Sequence, residues 1–224
     1  MSSIEQNIKE LKQQLGPSVK LVAVSKFQPN EKIMEAYNAG QRLFGENRPQ
    51  EFEQKVKSLP EDIQWHFVGH LQTNKIKMVA PYAALIHSVD SEKLLFELEK
   101  FGAQNNLNIK CLLEIFIAKE QTKQGFTFSE AEELLERLRT SPLKNVTLCG
   151  VMGMATLTKD KEQITKEFTQ LYSFFSRIKQ RHLHLSEFKE VSMGMSEDFP
   201  IACRLGASIV RIGTKIFGER EYKE

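Results

Sequence analysis

The stretch Leu21-Val22-Ala23-Val24-Ser25-Lys26 decides how this chain is read. Its apolar residues run without a polar break, so the segment suits a strand buried on both faces. Such a strand belongs in a parallel sheet covered by helices. The downstream sequence agrees. Residues 31–39 carry helical spacing, and short apolar runs then alternate with longer amphipathic ones along the chain.

Outward from that first strand at 21–25, the pattern predicts further strands at 42–44, 64–68, 84–88, 109–117, 146–152, 190–193 and 208–212. Helices are expected at 49–57, 74–79, 91–104, 128–139, 160–181 and 197–205, with a short tail after the last strand. In the long helix Ile164, Phe168, Leu171, Phe175 and Ile178 mark one face. Ahead of the first strand, Ile4, Ile8, Leu11 and Leu15 recur at helical spacing until Gly16-Pro17 stops them. About eight βα units in roughly 200 residues fit an α/β fold, the (β/α)8 TIM barrel, here with an extra N-terminal helix. An open doubly wound sheet is the rival, but it usually holds fewer units. No linker or low-complexity segment interrupts the text, so residues 1–224 are expected to form one domain.

Composition narrows the class. Of 224 residues 41% are hydrophobic and 27% charged, as in ordinary soluble domains. The 31 basic and 29 acidic residues leave a formal charge of +2, which argues against a nucleic-acid or membrane-surface partner. Cys111, Cys149 and Cys203 are too few for a disulfide framework and lack metal-ligand spacing, as expected in a reducing cytosol. The polar N-terminus is no signal peptide, and no apolar run approaches the ~20 residues of a membrane span.

In a barrel the chemistry sits where strands end. Lys26 directly follows the first apolar run, which places it at the mouth. Partial desolvation there favours the neutral amine that attacks an aldehyde; the bland alternative is a lysine snorkelling to solvent. The end of strand seven reads Ser192-Met193-Gly194-Met195-Ser196-Glu197-Asp198, and that of strand eight Val210-Arg211-Ile212-Gly213-Thr214. Loops after these strands form the usual phosphate site of the fold. Gly194 and Gly213 let backbone approach an anion, and Ser196 precedes an expected helix as phosphate ligand or plain N-cap. Arg211 and Gly213 share a face. A guanidinium inside the barrel needs a partner, and the bland alternative is an internal salt bridge to a carboxylate from another strand. Gly45-Glu46-Asn47 and Met152-Gly153-Met154 end strands two and six. His66 reads as a satisfied core histidine, and Lys123 with the acidic helix 130–136 as solvated surface.

The same residues carry a resemblance. AVSK (Ala23–Lys26), FGEN (Phe44–Asn47), WHFVGHLQTNK (Trp65–Lys75), KEQTKQGF (Lys119–Phe126), GVMGMAT (Gly150–Thr156), SMGMSED (Ser192–Asp198) and VRIGTKIFG (Val210–Gly218) occur in order. Together they resemble the YggS/PROSC family of pyridoxal 5′-phosphate (PLP) homeostasis proteins over nearly the whole chain. The resemblance implies a barrel similar to the N-terminal domain of alanine racemase, with PLP as the cofactor in a Schiff base on Lys26. It implies that Ser196, Gly213 and Thr214 hold the phosphate, that Arg211 faces the pyridine nitrogen, and that Asn47 and Met152 line the pocket; Gly194 and Met195 of the same strand-seven motif are counted among the cofactor-binding residues. Two departures stand out: Glu114-Ile115-Phe116 occupies the place of a usual apolar-Asn-apolar motif, removing a polar group, and Arg48 follows Asn47 where some members carry tyrosine.

An arginine at the ring nitrogen can only donate, so the ring stays unprotonated and is a weak electron sink. Transamination is thereby disfavoured. Alanine racemases also need an all-β domain and a partner-subunit tyrosine; only residues 219–224 follow the last motif, and Tyr37, Tyr82, Tyr172 and Tyr222 are expected in helices, loops or the tail. The expectation is a monomeric cytoplasmic carrier that buffers PLP and passes it to apo PLP-dependent enzymes, with no catalytic residue and no metal. The alternatives are a small amino-acid racemase and a lysine aldolase working without PLP.

Overall fold

A computed structural model of the chain describes residues 2–120, 124–182 and 184–219. Lys123 and Tyr222 lie outside these. Eight parallel strands close into a barrel in chain order: β1 (Lys20–Val24), β2 (Leu43–Glu46), β3 (Gln64–Phe67), β4 (Leu85–Val89), β5 (Ile109–Ile115), β6 (Val146–Gly153), β7 (Glu190–Ser192) and β8 (Ile209–Ile212). Around them run α1 (Ser3–Leu15), α2 (Asn30–Asn38), α3 (Pro49–Ser58), α4 (Ile76–Val79), α5 (Glu92–Asn105), α6 (Phe128–Thr140), α7 (Lys161–Arg181), α8 (Phe199–Arg204) and α9 (Thr214–Phe217). This is the expected (β/α)8 TIM barrel with its extra N-terminal helix.

Local sequence sets the helix ends. Ser2, Ser91 and Asp160 accept backbone N–H groups as N-caps of α1, α5 and α7. Thr127 and Glu130 form a reciprocal capping box on α6. The long helices bury one apolar stripe against the sheet, as Ile164, Phe168, Leu171, Phe175 and Ile178 do on α7. A second, smaller core fills the lumen: Val22, Leu85, Leu112, Cys149, Met152 and Ile209, with Leu43 and Met154 against them.

Three expectations need correction. The helix expected at 197–205 begins only at Phe199, because Pro200 sits in its first turn and Asp198 turns back to accept the Met195 N–H at 2.5 Å. Ser196 is therefore not its N-cap. β5 stops at Ile115, because the chain there bridges to Phe126: Phe116 N donates to the Phe126 carbonyl and Phe126 N to the Glu114 carbonyl, each at 2.8 Å. The expected tail begins instead as α9, four residues too short to show periodicity. Asn7 of α1 donates to its Ile216 carbonyl at 3.0 Å.

β6 carries one extra residue. Cys111 pairs with Leu148 but Leu112 pairs with Gly150, so Cys149 is bulged. Gly150 takes φ 147°, and a Cβ there would lie 1.9 Å from the Glu190 carbonyl oxygen. Gly16 also has positive φ, 73°, but open space around it. Gly150→Ala is expected to cost about 3 kcal/mol, a left-handed penalty plus overpacking. Gly16→Ala should cost only about 1 kcal/mol. Urea denaturation of both variants checks this; equal losses would contradict the bulge contact.

Candidate functional site

Strand register brings the expected residues to one end of the barrel. Lys26, half-buried, lies two residues beyond Val24 with the side-chain parity of lumen-facing Val22. β8 is its neighbour, with Ala23 opposite Ile212. A Cβ on Gly213 would lie 3.0 Å from the Val24 carbonyl oxygen, so glycine there lets the β8 end, and Thr214 behind it, close onto the strand that carries Lys26. Gly194, at φ 95°, accepts the Arg211 N–H at 2.9 Å and ties the β7 end to β8. Beyond it Met195 is exposed and Ser196 half-buried.

On the other flank Val24 pairs with Gly45, and Asn47 continues that line. The Asn47 Oδ1 is buried with no hydrogen-bond partner among the described residues. Gly69 presses on the Asn47 backbone, where a Cβ would come within 2.1 Å of its carbonyl oxygen. Met152 pairs with Glu114 on one side and Ser192 on the other. Lys26, Asn47, Met152, Gly194, Met195, Ser196, Arg211, Gly213 and Thr214 thus gather at the C-terminal ends of five strands, the functional end of this fold.

Arg211 is the group that the lumen is built around. It is buried, yet among the described residues it forms no ion pair. Its Nη1 donates to the Ser192 carbonyl at 2.9 Å and the Ser192 hydroxyl at 2.6 Å, and its Nη2 to the Gly153 carbonyl at 3.2 Å. Burial pulls the guanidinium down to about 10, while Asp198 and Glu114 pull it back, so it stays cationic at neutral pH. Three of five N–H groups are taken in this way, and two have no partner among the described residues.

Beyond Arg211 the polar chain continues through the lumen: the Ser192 hydroxyl, which accepts from Arg211, lies 2.8 Å from His87 Nδ1, and His87 Nε2 lies 2.8 Å from His66 Nδ1. With both rings neutral, one proton lies in each of these two bonds. Burial holds both rings neutral: His66 falls to about 4, helped by Lys20 and opposed by Glu190, and His87 falls well below the usual range. His66 is the satisfied core histidine that its place in the strand suggested. His87 was not singled out by sequence, although a polar residue inside the apolar run Leu85–Val89 was the available signal.

Comparison with known proteins fits this geometry. The family model of the alanine racemase N-terminal domain matches residues 1–221. A pyridoxal phosphate homeostasis protein of Aquifex aeolicus is 40% identical over 91% of this chain and 88% of its own. The chain belongs to the alanine racemase N-terminal domain family, among the pyridoxal phosphate homeostasis proteins. PipY of Synechococcus elongatus, solved without PLP, is 37% identical and superposes with a TM-score of 0.91 over 96% of this chain and 100% of that one. The same protein with PLP bound gives a TM-score of 0.86 at 36% identity, with the same coverage.

Strand five carries a buried carboxyl two residues before Phe116. Glu114 is buried beside Met152, and desolvation, reinforced by Asp90 and opposed by Arg211, raises its carboxyl to about 7. A second carboxyl behaves alike: Glu46, at the end of β2, is raised to about 7 by burial, against the pull of Lys55 and Ser25. Its Oε1 accepts from the Ser25 hydroxyl at 2.5 Å and from Lys55 Nζ at 2.8 Å. Linear spacing gave neither carboxyl nor Lys55 a role. Of the tyrosines, Tyr37 donates to Asp62 on the outer surface, while Tyr82 and Tyr172 are exposed.

A carboxyl raised above its unfolded value of 4.5 holds a proton that the unfolded chain releases between pH 4.5 and 7, so stability falls as pH rises through that window. Glu114→Gln removes this loss at one site. The ligand-free variant should be more stable than wild type at pH 8 by on the order of 2–3 kcal/mol, and no more stable below pH 4.5. Thermal unfolding across pH measures it; an unchanged pH profile would contradict the buried carboxyl.

Proposed function

We propose that this chain binds PLP at the barrel mouth, joined to Lys26 as a Schiff base, and serves PLP homeostasis as a carrier and buffer with no dedicated reaction of its own. The observation that carries the reading is Arg211: a buried cation with no carboxylate bonded to it and two N–H groups without a partner among the described residues, among strand ends that also bear a lysine and two close-approach glycines. A flat ring with a hydrogen-bond acceptor answers that donor set. The orphaned Asn47 Oδ1 and the hydroxyl of Ser196, no longer spent on a helix cap, suit the same occupant. The PLP-bound relative, matched over nearly the whole chain, supports it.

In this reading Gly213, Thr214, Ser196 and the Gly194–Met195 turn hold the phosphate, and Asn47 and Met152 bound the ring. Bound PLP supplies an aldehyde carbon for the lysine amine and a ring able to withdraw electrons. Arg211 restrains that withdrawal, because a guanidinium held by Ser192 and Gly153 offers the ring nitrogen a hydrogen bond but no readily lost proton. None of Tyr37, Tyr82 and Tyr172 is placed as a second base opposite Lys26, which favours a carrier over the racemase alternative. The reading extends to a cytoplasmic monomer that hands PLP to apo PLP-dependent enzymes; no described helix is long and apolar enough to cross a membrane.

Titration with PLP followed by visible absorbance, borohydride reduction and peptide mass mapping tests this. Wild type should gain one pyridoxyl group, on Lys26, and Lys26→Ala should lose it while still binding PLP reversibly. Label on another lysine, or label undiminished in Lys26→Ala, would overturn the assignment. Exchange of the alanine α-proton with solvent at enzymatic rates would favour the racemase reading instead.

A further inference from the structure

The residues on either side of Lys26 are held by one helix. Lys55 Nζ of α3 donates to the Ser25 carbonyl at 2.8 Å. Glu51 Oε1, one turn earlier on α3, accepts the Phe27 N–H at 2.7 Å. Lys55 and Glu51 pair with each other at 2.7 Å, and Lys55 is anchored from below by buried Glu46 at 2.8 Å. The Ser25 carbonyl belongs to the peptide plane before the Lys26 Cα, and the Phe27 N–H to the plane after it. Both planes that define the Lys26 backbone angles therefore end on the same ion cluster.

Phe27 gives a second, independent observation. It takes φ 63°, a left-handed conformation that a bulky side chain avoids unless its surroundings impose it. Its ring carries the Arg48 guanidinium 4.4 Å from the centroid and is itself substantially exposed, so packing of the ring into a core does not impose the turn. The hydrogen bond to Glu51 falls on the backbone atom that this turn presents.

We propose that Glu51 and Lys55 are positioning residues: they clamp both peptide planes of Lys26 and so aim its amine into the mouth. The inference rests on the reading of Lys26 as the PLP-linking lysine. Nothing in it requires either residue to touch the cofactor. The cluster is a fixed support, joined to the barrel through Glu46 of β2 and to the outer layer through α3, and it sets where a flexible four-carbon side chain begins.

Glu51→Ala and Glu51→Gln separate a clamp from a merely structural contact. Glu51 lies in the first turn of α3 and is partly exposed, alanine is the best helix former, and Lys55 keeps its bonds to Ser25 and Glu46. The glutamine variant keeps an acceptor for the Phe27 N–H; the alanine variant does not. Two readouts are taken: amide hydrogen exchange at Phe27 by NMR in PLP-free protein, and the rate at which added PLP becomes borohydride-fixed on Lys26. Glu51→Ala should speed Phe27 exchange and slow attachment about tenfold or more. Glu51→Gln should stay close to wild type on both, as should the control Glu53→Ala, whose side chain pairs with Lys57 on the outer surface. Glu51→Ser serves as a second deletion if the alanine variant does not fold.

Faster exchange with unchanged attachment would overturn the clamp, as would Glu51→Gln as slow as Glu51→Ala. Either result leaves the PLP assignment standing, because wild type would still be modified on Lys26. If wild type itself attached nothing at Lys26, the PLP reading and the clamp would fall together.

Discussion

A guanidinium sealed inside the barrel, with no carboxylate bonded to it among the described residues, is the constraint on which the rest of the lumen depends. Arg211 satisfies itself on two carbonyls and a hydroxyl, which is enough to hold it but not to use up its donors. Because arginine cannot accept, the Ser192 oxygen accepts from it, and the polar chain runs on through His87 to His66. Burial keeps both histidines neutral. The positive charge is balanced at a distance by Glu114 and Asp198. A direct carboxylate would have closed the site. Without one, the cation keeps donors for the mouth.

The mouth is built by neighbouring strands rather than by long loops. β8 lies between β1 and β7, so the lysine at one strand end and the glycine turns at the others share a rim as a matter of topology. Two glycines carry that closeness. Gly213 lets β8 approach the Val24 carbonyl, and Gly194, with φ 95°, lets β7 turn while its carbonyl holds Arg211 N. Strain falls in the same place, at Phe27 beside Lys26. The apolar face of the sheet, packed under the helices, supplies the stability that tolerates it.

The barrel was legible because the strands are short apolar runs and each long helix shows its period, and the residues at strand ends then followed from the fold. Lys26 and Arg211 could be placed from sequence for that reason. α9 was not legible, because four residues carry no period, and α8 was placed two residues early because Ser196 looks like a cap until Pro200 is weighed. Glu114, Glu46, Lys55 and His87 were missed for a different reason. Each is a polar residue whose meaning depends on what stands opposite it across the barrel or on the next helix, and linear spacing does not reveal that. On strand five this hid a buried carboxyl, Glu114, with the side-chain parity of lumen-packed Leu112.

The chemistry proposed for this chain rests on a donor that holds the cofactor ring without protonating it, which suits storage and release better than bond breaking at an amino acid. The most direct measurement is the 15N NMR shift of ring-labelled PLP bound to the wild-type protein. The expected result is an unprotonated pyridine nitrogen that accepts a hydrogen bond and moves toward the free-pyridine value in Arg211→Met. A pyridinium shift at neutral pH, or a ring nitrogen indifferent to Arg211, would contradict it.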